Sequence, residues 1–587
     1  MTIFDRITTL LGSTLSEAGF ACAEYARQPS GCKRTGLMAA LIAVTFSGPL
    51  WAQSTLVHNI NGYTMNSQRE RIEFVAIEFN GDTVERLYQA GDTLPAADEG
   101  GQSMTRIDGE GKTLLPGLID AHGHVLSYGL SLLRVDMTGT SSEQEAVERV
   151  TQFRARNPDL NWIQGRGWNQ VLWDSNEFPN AASLDAAGSE VPMWFSRVDG
   201  HAGWANQAAM ELAGVDASTP DPEGGMIIRD AEGRPTGVFV DTAMDYITEQ
   251  IPALSIEDQK RALLSAMHSL ADLGMTSVHD AGISSTTLQA YQELAEDGPL
   301  PIRVYAMISA NDEDYVERLG EGYIETADDT FVMRSVKIVA DGALGSRGAY
   351  LNEEYSDQPG HHGLLLMSPD RLTQLIQVGM EEDFQINIHA IGDGANQIVM
   401  DNYEALIENT GTQAQRHRIE HAQILRFEDI LRFHELGVIP SMQATHATSD
   451  KNMAVDRIGE VRIQGAYAWR KLLDAGARIA NGSDFPVEPA NPFFGLHASV
   501  TRQDRDNQPP GGWYPEEKMT REEALLSFTL DAAYAAHQDD ILGTLEPGKK
   551  ADFILVDEDY FAVEPEMLWQ LDAEKTWVGG RLITPTP

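Results

Sequence analysis

Cysteine is nearly absent from this chain. Of 587 residues only Cys22 and Cys32 are cysteine, and both precede residue 53. Beyond that point the chain has neither a disulfide framework nor a thiol nucleophile, so cysteine usage is silent on redox compartment. Basic residues are scarce as well: 43 Lys+Arg stand against 88 Asp+Glu, a formal charge of −45. That balance argues against nucleic acid as a partner and against docking on anionic lipid. The acidic residues are scattered, as on a heavily solvated surface suited to a salty medium in which screening limits self-repulsion. Long apolar runs are also missing. The best one, residues 36–44 after Lys33 and Arg34, fades towards Trp51 and is interrupted by Ser47, Gly48 and Pro49. It has the length of a signal-peptide core and not of a membrane span. Residues 1–53 therefore read as an export signal with a long n-region. The expectation is a periplasmic or secreted protein with no membrane partner.

What is present suffices for one large domain and a smaller one, with 42% hydrophobic residues to fill their cores. Residues 54–115 read as short strands and turns, for example Ile72-Glu73-Phe74-Val75-Ala76-Ile77. The same character returns from Leu545 onward, through Phe553-Ile554-Leu555-Val556. Strand-rich ends flanking an α/β middle predict a small β-sandwich domain, 54–115 plus 545–587, built from both termini. Between them, 116–544, short apolar strands alternate with helices. The strand ends fall at His122, Asp280, Ile308, Asp341, His389, His421, Gln443 and Asp484. Eight strands so separated predict an α/β fold of the TIM-type (β/α)8 barrel. The pattern is irregular from about 130 to 250, apart from an amphipathic helix over Glu143–Arg156. Trp162, Trp168, Trp173, Trp194 and Trp204 cluster there. This stretch reads as an insertion after the first barrel strand, of the kind that forms lids or substrate pockets.

The organising segment is Leu114-Leu115-Pro116-Gly117-Leu118-Ile119-Asp120-Ala121-His122-Gly123-His124. In an extended strand, alternate side chains share a face, so His122 and His124 can grip one ion. A barrel brings strand C-termini to one mouth. His389, His421 and Asp484 end later strands, and Lys337 lies inside an apolar one, where a free ammonium is costly. Each residue alone has a structural explanation. All of them at strand ends of one barrel point to a shared metal centre.

In this order, His-x-His, Lys, His, His and Asp resemble the amidohydrolase superfamily. Leu115-Pro116-Gly117-Leu118-Ile119-Asp120-Ala121-His122-Gly123-His124 resembles its strand-one signature. Val339-Ala340-Asp341-Gly342-Ala343-Leu344-Gly345-Ser346-Arg347, His389-Ala390-Ile391-Gly392-Asp393, Arg418-Ile419-Glu420-His421-Ala422 and Gly482-Ser483-Asp484-Phe485-Pro486-Val487 resemble the YtcJ-like branch, which includes N-substituted formamide deformylases. The resemblance implies that His122, His124 and Asp484 hold one divalent ion, zinc by default, and that His389 and His421 hold a second. Lys337, carboxylated by CO2, would bridge the two. A one-ion version with unmodified Lys337 stays open. It further implies attack of metal-bound hydroxide on a non-peptide carbon–nitrogen bond of a small molecule, with Asp484 as the catalytic proton carrier. Ester, lactone or carbamate hydrolysis on the same site stays open, as do an exported metal-binding protein without catalysis and assembly into a homo-oligomer. Trp168, His201, Arg347 and Gln443 sit in loops or at strand ends and are candidate substrate contacts.

Overall fold

The chain changes architecture at Gly117. Just before it, Thr113–Pro116 pairs antiparallel with Phe553–Val556 of the far terminus. Just after it, the first barrel strand begins. Gly117 donates its N–H to Asp552 O at 2.9 Å, and a Cβ there would lie 2.1 Å from Thr276 Oγ1. Only glycine lets the two layers approach this closely. In this computed structural model the described residues are 54–96, 104–158, 160–198, 200–222 and 224–584. The export-signal reading of 1–53 lies outside them.

The barrel strands are β1 (Leu118–Gly123), β2 (Met275–Ile283), β3 (Arg303–Ser309), β4 (Phe331–Val339), β5 (Gln385–Ala390), β6 (Arg418–His421), β7 (Ile439–Gln443) and β8 (Ala480–Gly482). Each pairs in parallel with the next. Local signals set the helices between them. Ser255 and Asp258 make a capping box for Ile256–Asp272, which buries Ala262, Leu263, Ala266 and Leu270. Ser368 caps Pro369–Glu381, with Pro in the first turn.

The seam between β8 and β1 carries no strand ladder. The Asp120 carboxylate closes it, accepting from Ser483 Oγ at 2.7 Å and from the N–H groups of Ser483 and His122 at 3.1 and 3.0 Å. Above it, Asp484 N donates to His122 O at 2.7 Å and His124 N to Phe485 O at 2.9 Å. The strand bearing the paired histidines is thus stitched to the loop bearing Asp484.

The termini build one hydrogen-bonded eight-stranded sheet around Ser54–Met65. Its core includes Val57, Phe74, Phe79, Leu114, Phe553 and Trp577. The segment after β1 is more regular than its sequence suggests. It forms a six-stranded sheet, with Val135–Asp136, Ile163–Trp168, Met193–Arg197, Ala202–Ala205, Gly225–Arg229 and Pro235–Asp241 as its strands. These strands are short, and glycines where ring systems cross the sheet break their period-two pattern. A Cβ on Gly203 would sit 1.9 Å from the Trp194 ring. Among the described residues no helix is long and apolar enough to cross a membrane.

Candidate metal centre

The barrel mouth gathers the residues that the strand ends predict. His122 ends in a buried pocket. Its Nδ1 makes a very short contact to Glu420 Oε2, which leaves Nε2 facing the barrel axis. That nitrogen lies 3.2 Å from Lys337 Nζ and 3.7 Å from Asp484 Oδ1. His124 Nε2 stands 3.1 Å from the same oxygen and forms the open edge, with 36% of its side chain exposed. His122, His124 and Asp484 thus offer donor atoms all within 4.8 Å of one another. The His421 ring packs 4.9 Å from His122 and 4.4 Å from His389. Its Nδ1 donates to Gln443 Oε1 at 2.7 Å, so Nε2 carries the free lone pair. His389 Nε2 is buried without a hydrogen-bond partner among the described residues and lies 3.6 Å from Asp341 Oδ1. Nδ1 is then its candidate donor.

Backbone strain accompanies this convergence. Asp484 has φ +61°, His421 +74° and Ala422 +41°. Non-glycine residues adopt such angles rarely and persist in them where the surroundings over-determine the conformation.

Electrostatics keep His122, His389 and His421 neutral and the Asp484 carboxylate charged. Burial, with the Lys337 charge added, lowers the pKa of His122 to about 4 and of His389 to about 3. Burial alone would raise the Asp484 carboxyl, but the hydrogen bond from His124 and the neighbouring imidazoles hold it well below the usual carboxylate range. Burial brings the Lys337 amine down to about 8, against the pull of Glu420 and Asp484. Neutral imidazoles at His122, His389 and His421, an anionic carboxylate and a largely buried site with His124 as its open edge fit a divalent cation.

Two residues of this centre escape a search of strand ends for metal ligands. Glu420 precedes His421 and reads as an ordinary buried acid. It faces His122 through one oxygen and Arg418 Nε through the other, at 2.8 Å. Arg418 in turn donates to Ala121 O, Ser441 Oγ and His279 Nδ1 at 2.6, 2.8 and 3.0 Å. His446 lies three residues past β7, inside the helix Ala444–Asp450. Its Nε2 is 3.8 Å from Asp484 Oδ2.

The four candidate substrate contacts divide differently. Gln443 reaches the centre, but as the residue that orients His421. Trp168 is fully buried in the inserted sheet's core, its Nε1–H on Phe195 O at 2.7 Å, and has no surface to offer a substrate. His201 is 78% exposed and pairs with Asp241 at 2.9 Å. Arg347 is pinned to Asp357 at 2.8 Å. Loop position alone does not separate a pocket wall from packing or surface ion pairs.

Comparison with known proteins decides the family. The sequence model of the amidohydrolase family matches residues 105–584. The chain belongs to the amidohydrolase family. The YtcJ protein of Bacillus subtilis, assigned by name to the amidohydrolases, is 30% identical over 89% of this chain and 97% of its own. The N-substituted formamide deformylase of Arthrobacter pascens is 26% identical, covering 81% and 89%. A solved structure described as an uncharacterized metal-dependent hydrolase from Pyrococcus furiosus superimposes with a TM-score of 0.71 at 28% identity, covering 86% of this chain and 99% of that one. This amidohydrolase is accordingly a metal-dependent hydrolase with a barrel-mouth His/Asp site, and its family acts on small molecules.

Proposed function

We propose that this amidohydrolase cleaves a non-peptide carbon–nitrogen bond, an N-formyl, N-acyl or cyclic amide, in a small molecule. The observation that carries the reading is the convergence of His122, His124 and Asp484 on one point, with His122 held from behind by Glu420 and the backbones of His124 and Asp484 bonded across the barrel seam. The likeness to a formamide deformylase supports the choice of bond.

A divalent ion held by these residues, zinc by default, supplies a Lewis acid that lowers the pKa of water towards about 7 and polarises a carbonyl. The protein does the rest. Glu420 and Gln443 fix the imidazole tautomers, so that His122 and His421 present lone pairs and not protons. Asp484, kept ionised, takes the proton of the attacking water at Oδ2, the oxygen turned away from His124. It returns that proton to the departing nitrogen, which leaves as a neutral amine. Barrel walls around Lys337 and Glu420 exclude bulk water and strengthen these interactions. Lys337, once carboxylated, would join His389 and His421 in holding a second ion. Its burial supports this step, because an amine with a pKa lowered to about 8 keeps a free fraction of about a tenth near neutrality, far more than an ordinary lysine, and only the free amine adds CO2. Incubation with labelled bicarbonate should give a carbamate signal in wild-type protein that grows as pH rises through about 8 and is missing in Lys337→Ala.

The deciding test is a turnover screen of metal-depleted and zinc-reloaded protein on N-formyl amines, N-acyl amines, cyclic amides and matched esters. Metal-dependent amide turnover is expected, with Asp484→Asn slower by about a hundred- to ten-thousand-fold. Turnover of esters with none of amides would overturn the assignment of bond, and Asp484→Asn at the native rate would overturn the proton path.

A further inference from the structure

His446 is left unused by this mechanism, yet it is built into the site. Its Nε2 is buried, has no hydrogen-bond partner among the described residues, and faces Asp484 Oδ2 across 3.8 Å. Its ring lies nearly parallel to that of His421, 17° apart in plane and 5.8 Å between centroids. Donor atoms of His421, His446 and Asp484 all fall within 4.8 Å of one another, a second such cluster beside His122, His124 and Asp484. Two imidazoles and a carboxylate are a sufficient donor set for zinc or a similar divalent ion. At a ligand distance of about 2.1 Å, one cation can touch both His446 Nε2 and Asp484 Oδ2 across that gap.

We propose that His421, His446 and Asp484 form an inhibitory cation site. The inference rests on the metal-dependent reading above and adds a regulatory site to it. An ion there occupies Oδ2, the atom that must accept and return the proton. It also takes the single lone pair of His421 Nε2, which the carbamate-bridged second ion needs. The two positions therefore exclude each other. The inhibitory one fills only when the free metal concentration is high, because two of its three donors are already engaged by the productive centre. Excess divalent metal then switches the enzyme off with no change in fold, and the barrel mouth reports the metal level outside it.

The test uses the full-length protein and zinc alone. Metal-depleted protein is titrated with zinc by calorimetry and, in parallel, by rate on whichever amide substrate the screen provides. Wild type is expected to gain activity with its tight binding event and lose it with a weaker one. His446→Gln, which keeps volume and polarity but offers no imidazole, is expected to shift the weak event and the inhibitory concentration upward by at least about tenfold. His446→Ala serves as a second variant should the amide side chain bind metal weakly, and melting curves confirm that both fold. Inhibition of both variants at the wild-type zinc concentration overturns the proposal, as does a wild type that excess zinc never inhibits. If metal-depleted protein binds no zinc and works without it, the metal-dependent mechanism itself has failed, an outcome distinct from tight binding without inhibition.

Discussion

Two buried clusters of rings in this protein look alike in composition and differ in purpose. In the inserted sheet, Trp168, Trp173 and Trp204 pack tilted or edge-to-face, 6.3–6.4 Å between ring centroids. Every indole N–H there ends on an internal acceptor: Trp168 on Phe195 O at 2.7 Å, Trp204 on Asn180 O at 2.9 Å, Trp173 on Thr140 Oγ1 at 3.3 Å. The cluster is closed. At the barrel mouth, His122, His389, His421 and His446 pack at similar spacing. Second-layer groups hold the far nitrogens of His122 and His421, which turns their other nitrogens toward the centre. A core satisfies all its polar atoms, whereas a metal site satisfies all but the ones aimed at the ion.

Arg418 is where this contrast can be broken most severely. It neutralises Glu420 with both side chains wholly buried, so Arg418→Met strands an anion in the barrel. A loss of about 3–5 kcal/mol in denaturant unfolding is expected, with metal binding lost as His122 comes loose. A fully stable Arg418→Met protein would mean that water already solvates Glu420. Trp168→Ala should cost a comparable amount, about 3–5 kcal/mol, by cavity formation. Unlike Arg418→Met, it should leave the KM and kcat of the folded fraction unchanged. A selective rise in KM would transfer the tryptophan cluster from core to substrate pocket. Glu420→Gln is milder. It keeps volume and a hydrogen-bond acceptor for His122 while removing the charge, and is expected to weaken zinc affinity about 10- to 100-fold in calorimetry.

The same distinction explains what could be read in the sequence. The barrel was legible because most strands end on a chemically conspicuous residue and several helices carry a side-chain cap, as at Ser255 and Ser368. Five of the six expected ligands are conspicuous for the same reason: a histidine or aspartate at a strand end interrupts an apolar run. Glu420 and His446 were not legible as parts of the site. Glu420 acts through His122, 298 positions away, and His446 acts from a helix and not from a strand. The inserted sheet was hidden because its strands are short and its glycines answer to ring packing, so periodicity fails locally. Substrate contacts were the least legible, since Trp168, His201 and Arg347 owe their surroundings to long-range neighbours that no local pattern encodes.

His201 gives the gentlest test. It is 78% exposed and Asp241, with which it pairs, is itself about half exposed. Side-chain entropy and solvent screening leave such a pair little net energy. His201→Ala should therefore shift the melting temperature by no more than about 2 °C and leave metal affinity alone. If it lies only on the surface, turnover is unchanged on every substrate of the screen. If the inserted sheet swings over the barrel mouth during catalysis, His201 meets the substrate there, and KM rises for large substrates while small formamides are unaffected. Turnover measured against substrate size thus separates a static insertion from a closing one, through a residue whose removal the fold would scarcely register.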